Sequence, residues 1–328
     1  MHLAELSRGE VAALTWSWDP RSPLIGPPFP SPVLADPTFL PPDSTPDSRW
    51  HLWAHSLLGI HHHTSRDGIT WKRHETVARN ALRAQIVDLG PGATLRYRLL
   101  YERTRAFIPF GVPWRSWIES RSSDDLRRWS DPVVLLRPTL PWHRDAKQGE
   151  AVSNPCLVPL PDSRWRLYFS AGLVHVPDCG FNEPEYVGVA DGPGPEGPFD
   201  VLPEAVLSPD AGDRWANLGA GAVEVLAVSD GWVAFQNAIG WDATTRASSS
   251  AVRVLTSADG LDWEVTGEPI LAPTGSGWAA THVYAVDVRD TPAGIRLYAN
   301  GRNAAHWTRG REHVGLATPD PPRTRPTR

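Results

Sequence analysis

One methionine, two cysteines and no long apolar run are what this 328-residue chain has least of. Two cysteines, Cys156 and Cys179, are too few for a disulfide scaffold or for a cysteine-based zinc site. No stretch approaches the roughly 18 apolar residues of a membrane span. The N-terminal "MHLAELSRGEVAALTW" lacks the basic start and apolar run of a secretory signal, so the expectation is a cytoplasmic protein with no membrane partner. A formal charge of −5 supplies no general basic face, and no nucleic-acid partner is expected. The basic stretches "LRRW" at Arg127 and "PPRTRPTR" at the C-terminus read as a solvated turn and a frayed end. Also missing are a His-Glu-x-x-His pair, a phosphate-cradling glycine loop, a Gly-x-Ser-x-Gly elbow and any convincing helical periodicity. No cofactor and no metal are implied.

What the chain has in abundance is 33 Pro, 27 Gly and 16 Trp, a mixture that means many turns and many aromatic packing points. Two patterns recur. One is a short strand with a basic or aromatic lead: "RWHLWAHS" from Arg49, "RYRLLYER" from Arg96, "RWRLYFSA" from Arg164, "GWVAFQNA" from Gly231 and "GIRLYANG" from Gly294. Each is preceded, across a turn, by another apolar run: "DPTFLPP", "AQIVDLG", "NPCLVPL", "AVEVLAV" and "VYAVDVR". Such pairs are hairpins. The second pattern follows three of the hairpins: "TSRDGITWKR", "RSSDDLRRWSD" and "TSADGLDWEV", with "VADGPGPEGPFDV" as an equivalent that replaces Trp by Phe199. Its Asp and Gly suit a turn that needs positive φ, and its Trp begins an outer strand. Five units of about four antiparallel strands imply an all-β chain, a five-bladed β-propeller with first strands lining a central channel. One domain is expected over residues 1–328. Residues 1–30 would close the ring or cover the channel, "AALTW" would add the missing strand of the last unit, and 319–328 would be a disordered tail.

In such a ring, chemistry belongs at the channel end where first strands converge. The polar groups there are Asp36, Arg83, Gln85, Asp88, Glu150, Ser153, Asn154, Asn217, Glu224, His282 and Asp287. Asp36 opens a strand beside Pro37, where no ladder bond is yet needed. It is either a turn cap or a functional carboxylate. The corresponding "SNP" of the third unit keeps the proline but carries Asn154, so the fold needs the turn and not the charge. In "GIHHHT", strand alternation separates His62 from His61 and His63, which points to a plain strand with one histidine, His62, near the site rather than to a zinc centre.

The five-unit pattern, the "ADP" at Ala35–Asp36–Pro37, the "SRDGITW" turns and a histidine opening the last unit resemble the superfamily of glycoside hydrolase families 43 and 32. The resemblance covers about residues 30–318. It implies a blade-one Asp as base or nucleophile, which Asp36 matches, a blade-two Asp that orients, and a blade-three Glu that acts as acid. Near the second place stands Asp88. At the third, Ser153–Asn154–Pro155 stand where the family has Glu-Gly-Pro, and the nearest acid is Glu150. The reading that follows is catalysis by Asp36, Glu150 and Asp88 on a short glycoside or small sugar-like substrate, with His282, which the resemblance places near the channel floor, and Arg83, Gln85, Asn154, His62 and Arg302 holding it. The alternatives are a non-hydrolytic enzyme on the same scaffold, running a cyclisation or elimination, and an inactive carbohydrate-binding propeller.

Overall fold

The computed structural model describes residues 2–105 and 113–321. Among these residues helix is scarce: one helix, α1 (Arg8–Ala12), is held at its start by a reciprocal pair of bonds between Ser7 and Glu10, beside a few single 3₁₀ turns. Strand β1 (Trp16–Trp18) follows. Next come four consecutive antiparallel strands, β2 (Ala35–Leu40), β3 (Trp50–Ser56), β4 (Gly59–Ser65) and β5 (Trp71–Ala78). A second group repeats the order with β6 (Ala81–Asp88), β7 (Tyr97–Thr104), β8 (Trp114–Ser123) and β9 (Val133–Leu136). The two-residue strands β10 (Arg144–Asp145) and β11 (Gly149–Glu150) extend it, with β11 parallel to β8.

The third group begins with β12 (Val152–Pro159) and β13 (Trp165–Ala171), is interrupted by a small hairpin of β14 (Val174–Val176) and β15 (Phe181–Glu183), and ends with β16 (Tyr186–Gly192) and β17 (Asp200–Val201). The fourth is β18 (Gly219–Val228), β19 (Gly231–Asp242), β20 (Ala247–Ser257) and β21 (Glu264–Val265). Last come β22 (His282–Arg289), β23 (Arg296–Arg302) and β24 (Glu312–Pro319), and β1 pairs with β24 as the outermost strand. That closing strand starts at the last residue of "AALTW". Pro319 faces Trp16, and the Asp320 amide donates to Thr15 O, so the start of the expected tail is tied down; 322–328 lie outside the described residues.

The recurring turn works as a clasp. In each copy a serine hydroxyl accepts the amide of the left-handed residue: Ser65 from Gly68 at 2.9 Å, Ser123 from Leu126 at 2.9 Å, Ser257 from Gly260 at 2.8 Å. The aspartate of the turn accepts the next two amides, as Asp67 does from Ile69 and Thr70 at 2.8 Å. The turn carbonyls are then available to a neighbouring sheet. Tyr298 of β23 donates to Gly68 O at 2.6 Å, and Tyr168 of β13 donates to Gly260 O at 2.7 Å. Both tyrosines are fully buried, and burial makes each phenol's hydrogen bond obligatory.

Apolar side chains fill the spaces between consecutive groups. Leu40, Trp53 and Ile60 meet Ile86, Tyr97 and Leu99; Leu100 and Ile118 meet Val152, Leu157 and Leu167; Tyr168 and Val189 meet Val225 and Ala234. Phe235 and Val252 meet Val283 and Leu297, and Tyr298 and Leu316 of the last group pack on Phe39 and Leu52 of the first. The first strands are also laced by hydrogen bonds. A side chain on one first strand accepts a backbone amide of the next: Thr38 from Ile86 at 3.0 Å, Gln85 from Leu157 at 2.7 Å, Cys156 from Val225 at 3.2 Å, and Asp287 from Phe39 at 2.9 Å.

Candidate active site

Each first strand slips register by one residue against its partner, between Ala35 and Thr38, Leu82 and Gln85, Ser153 and Cys156, Gly219 and Ala222, and Val283 and Val286. A bulge of this kind turns one residue out of the ladder and re-aims its side chain. In three of the five the turned residue is not glycine yet takes positive φ: Asp36 at 50°, Arg83 at 50° and Asn154 at 45°. Such backbone is costly for side-chain-bearing residues and concentrates at functional sites. Pro37 and Pro155 follow two of them, where the disrupted ladder asks for no amide.

All three line one cavity of about 660 Å³ at the N-terminal ends of the first strands. The same cavity takes His55, Glu183, Asn237, Tyr284, Asn300, Arg302 and Glu312. Asp36 receives Asn154 Nδ2 at 3.3 Å, and its backbone amide donates to Asn300 Oδ1 at 3.1 Å. Its other oxygen lies 3.3 Å from His55 Nδ1. That nitrogen accepts the Arg83 amide at 3.3 Å, so Asp36 faces a lone pair and is favoured in its protonated form. Burial acts in the same direction, and against partial compensation from Arg83 it pushes the Asp36 carboxyl up to about 7. Glu183 is likewise raised to about 7 by burial, partly offset by Arg83 and Arg302. Arg83 stands between the carboxylates, 2.9 Å from Glu102 and 3.6 Å from Glu183. Arg302 is bonded to Glu312 and lies over the rings of Phe181 and Tyr284 at 4.7 and 5.4 Å. Burial holds His55 neutral, lowering it to about 3.

Of the nine residues assigned to catalysis or substrate binding from the sequence, Asp36, Arg83, Asn154 and Arg302 meet in this cavity and five do not line it; nor do Ser153, Asn217, Glu224 and Asp287 of the wider channel-end set. Glu150 sits on β11, one-third exposed, with Arg144 at 3.3 Å and Arg115 at 3.9 Å. The strand that carries it pairs with β8, and Glu150 is not among the residues that line the cavity, although Lys147 and Gln148 are. Asp88 ends β6 in a two-point pair with Arg96 at 2.8 and 2.6 Å. Gln85 is buried beneath the cavity as a lacing residue, its Oε1 occupied by Leu157 N. His62 stacks on Trp53 and bonds to His51 at 2.8 Å, so the histidine that reaches the cavity from this hairpin is His55, on the partner strand. His282 is buried behind the wall, 3.0 Å from Ser248 Oγ, and stacks on Tyr284, which does line the cavity. Among the described residues, no group of three or more His, Cys, Asp or Glu is placed to hold a metal ion.

Glu183 and a polar ring were missed. Glu183 ends β15, in the hairpin inserted between β13 and β16, a place that no repeat pattern marks. The ring did leave a signal. The seventh position of the five recurring strands is polar every time: His55, Glu102, Ser170, Asn237 and Asn300. Three of these hold the next group's bulge, Asn300 at the Asp36 amide, His55 at the Arg83 amide and Ser170 at Gly221 O.

No family model matches the chain, and no curated protein matches it in sequence. Solved structures do match in shape. A glycoside hydrolase superimposes with a TM-score of 0.67 at 13% identity, covering 98% of this chain and 97% of that one. A glycosyl hydrolase from Bacteroides ovatus gives 0.62 at 14% identity over 96% of each chain. A thermostable family-43 glycoside hydrolase gives 0.60 at 12% identity over 90% of this chain and 95% of its own. The chain therefore shares a propeller-like all-β fold with glycoside hydrolases.

Proposed function

We propose that the chain is a five-bladed propeller enzyme that hydrolyses a small glycoside, with Asp36 as base and Glu183, in place of Glu150, as acid. The observation that carries this is a pair of buried carboxyls in one cavity, both raised to about 7 and both facing Arg83. Two carboxyls so tuned share protons near neutral pH, which is what glycosidic cleavage needs: one gives a proton to the leaving oxygen while the other takes one from water. Arg83 and Arg302 keep the pair from being fully protonated. Asn154 fixes Asp36 at its side chain and Asn300 at its main-chain amide, and neutral His55 leaves it the proton to exchange. The five-blade count is supported by the five bulged first strands and by the packing of the last group on the first.

Leaving-group dependence separates the roles. Glu183→Gln should lose most turnover on alkyl glycosides and keep much of it on dinitrophenyl glycosides, which need no protonation to depart. Asp36→Asn should lose both by on the order of a hundredfold or more. Equal losses on both substrates in Glu183→Gln would remove Glu183 as acid. No turnover of any glycoside by the unaltered protein would overturn hydrolysis itself.

A further inference from the structure

The cavity joins a polar floor, where Asp36, Arg83 and Asn154 meet, to a largely apolar wall, with Lys147, Gln148, His175 and Asn182 also in its lining. The apolar part of the lining is Leu57, Leu82, Leu173, Phe181, Pro184 and Trp307, from loops and strand ends of four different groups. These walls are built before any ligand arrives. The Trp307 amide donates to Cys179 O at 3.1 Å, joining the loop after β23 to the β14–β15 hairpin. Gly180 in that hairpin has φ 74°, and a Cβ there would stand 2.7 Å from His306 Nε2, so the His306 ring packs on the glycine. Leu82 and Leu173 are buried, and Phe181 is braced by the Arg302 guanidinium.

A polymeric glycan needs an open polar groove running past the cleavage point on both sides. Here residues from all five groups surround the floor, which gives a pocket and not a groove between two of them. Its volume of about 660 Å³ falls in the range of sites that enclose a drug-sized molecule. Apolar wall above a polar floor sorts a ligand by chemistry: the sugar against the carboxyls, an apolar body against the leucines and Trp307.

We infer that the substrate is a monoglycoside of a bulky apolar aglycone, bound with the sugar at Asp36 and the aglycone against Leu57, Leu173 and Trp307. This rests on the hydrolytic reading of the floor, yet binding tests it separately. In Asp36→Asn, calorimetry with paired methyl and 1-naphthyl glycosides of glucose, galactose, mannose, xylose and arabinose should find the naphthyl member of at least one pair tighter by on the order of tenfold or more. Leu57→Asn and Leu173→Asn, each added to that background, should bring the naphthyl-to-methyl ratio toward one. A ratio near one in every pair, no binding of any naphthyl glycoside, or tighter binding of a linear tetrasaccharide than of any naphthyl glycoside overturns the inference. A tenfold preference with no turnover by the unaltered protein supports the apolar wall and removes hydrolysis.

Discussion

Asp36→Asn is expected to stabilise the fold, and to do so more at high pH. Asp36 ionises at about 7 in the folded chain against an ordinary 3.8. The folded chain thus binds the proton more tightly, and this contribution to stability is lost as pH rises from about 4 through 7. At 1.36 kcal/mol per pKa unit, holding Asp36 in place costs roughly 2 kcal/mol at pH 5 and roughly 4 kcal/mol at pH 9. The asparagine cannot ionise, so it removes that dependence. Its Oδ1 still accepts from Asn154 Nδ2, and its own Nδ2 can donate to the His55 Nδ1 lone pair. Asparagine also tolerates the φ of 50°. Removing the Asp36 charge further relieves Glu183, which it raises. Urea unfolding at pH 5 and pH 9 should show the variant gaining about 2–3 kcal/mol more at the higher pH. The histidines that titrate nearby cancel in this difference. An equal ΔΔG at the two pH values, or a loss at pH 9, would refute the burial of a protonated Asp36.

Glu150→Gln should leave turnover within about twofold and stability within about 0.5 kcal/mol, because its arginine contacts are partly exposed and long. Asp88→Asn should cost about 1 kcal/mol in unfolding free energy through the lost Arg96 pair and leave kcat alone. Burial lowers His55, His63 and His282 to about 3 and His61 and His143 to about 4, so the unfolded chain takes up protons below pH 6.5 that the folded chain refuses. The melting temperature should fall from pH 6.5 to pH 4.5, since five histidines outweigh the opposite drift of the raised carboxyls Asp36, Glu183, Glu224 and Glu312; a rise on acidification would contradict their neutral burial.

The strand pairs were legible because alternation and turn residues are local properties. "RWHLWAHS" reads as β3, and "TSRDGITW" reads as the turn that leads into β5, with no need of anything distant. The bulge was half legible: Pro37 and Pro155 announce a place without a ladder bond, and Asp36 and Asn154 stand beside them. Arg83 has no proline next to it, and its conformation follows from the neighbouring hairpin, where His55 takes its amide. Glu150 does not line the cavity that Asn154 lines, because closeness along the chain is not closeness in space. It stands four residues before Asn154, but β11 runs with β8 instead of continuing into β12. Glu183 was invisible for the opposite reason, being twenty-nine residues beyond Asn154 and returned to it by a hairpin that no repeat contains.

The lacing of the first strands bears on how relatives of this chain could be recognised. What geometry demands at Thr38, Gln85, Cys156 and Asp287 is an atom that accepts the next strand's amide, and a hydroxyl, an amide oxygen, a sulfur and a carboxylate all comply. A profile that scores residue identity sees unrelated letters in these columns, whereas one that scores acceptor capacity, two places after the bulged residue of β2, β6 and β12, would see a single column repeated along the chain. Selection of this kind acts on a function of the atom and leaves the amino acid free, so copies drift apart in sequence while the strands stay in register.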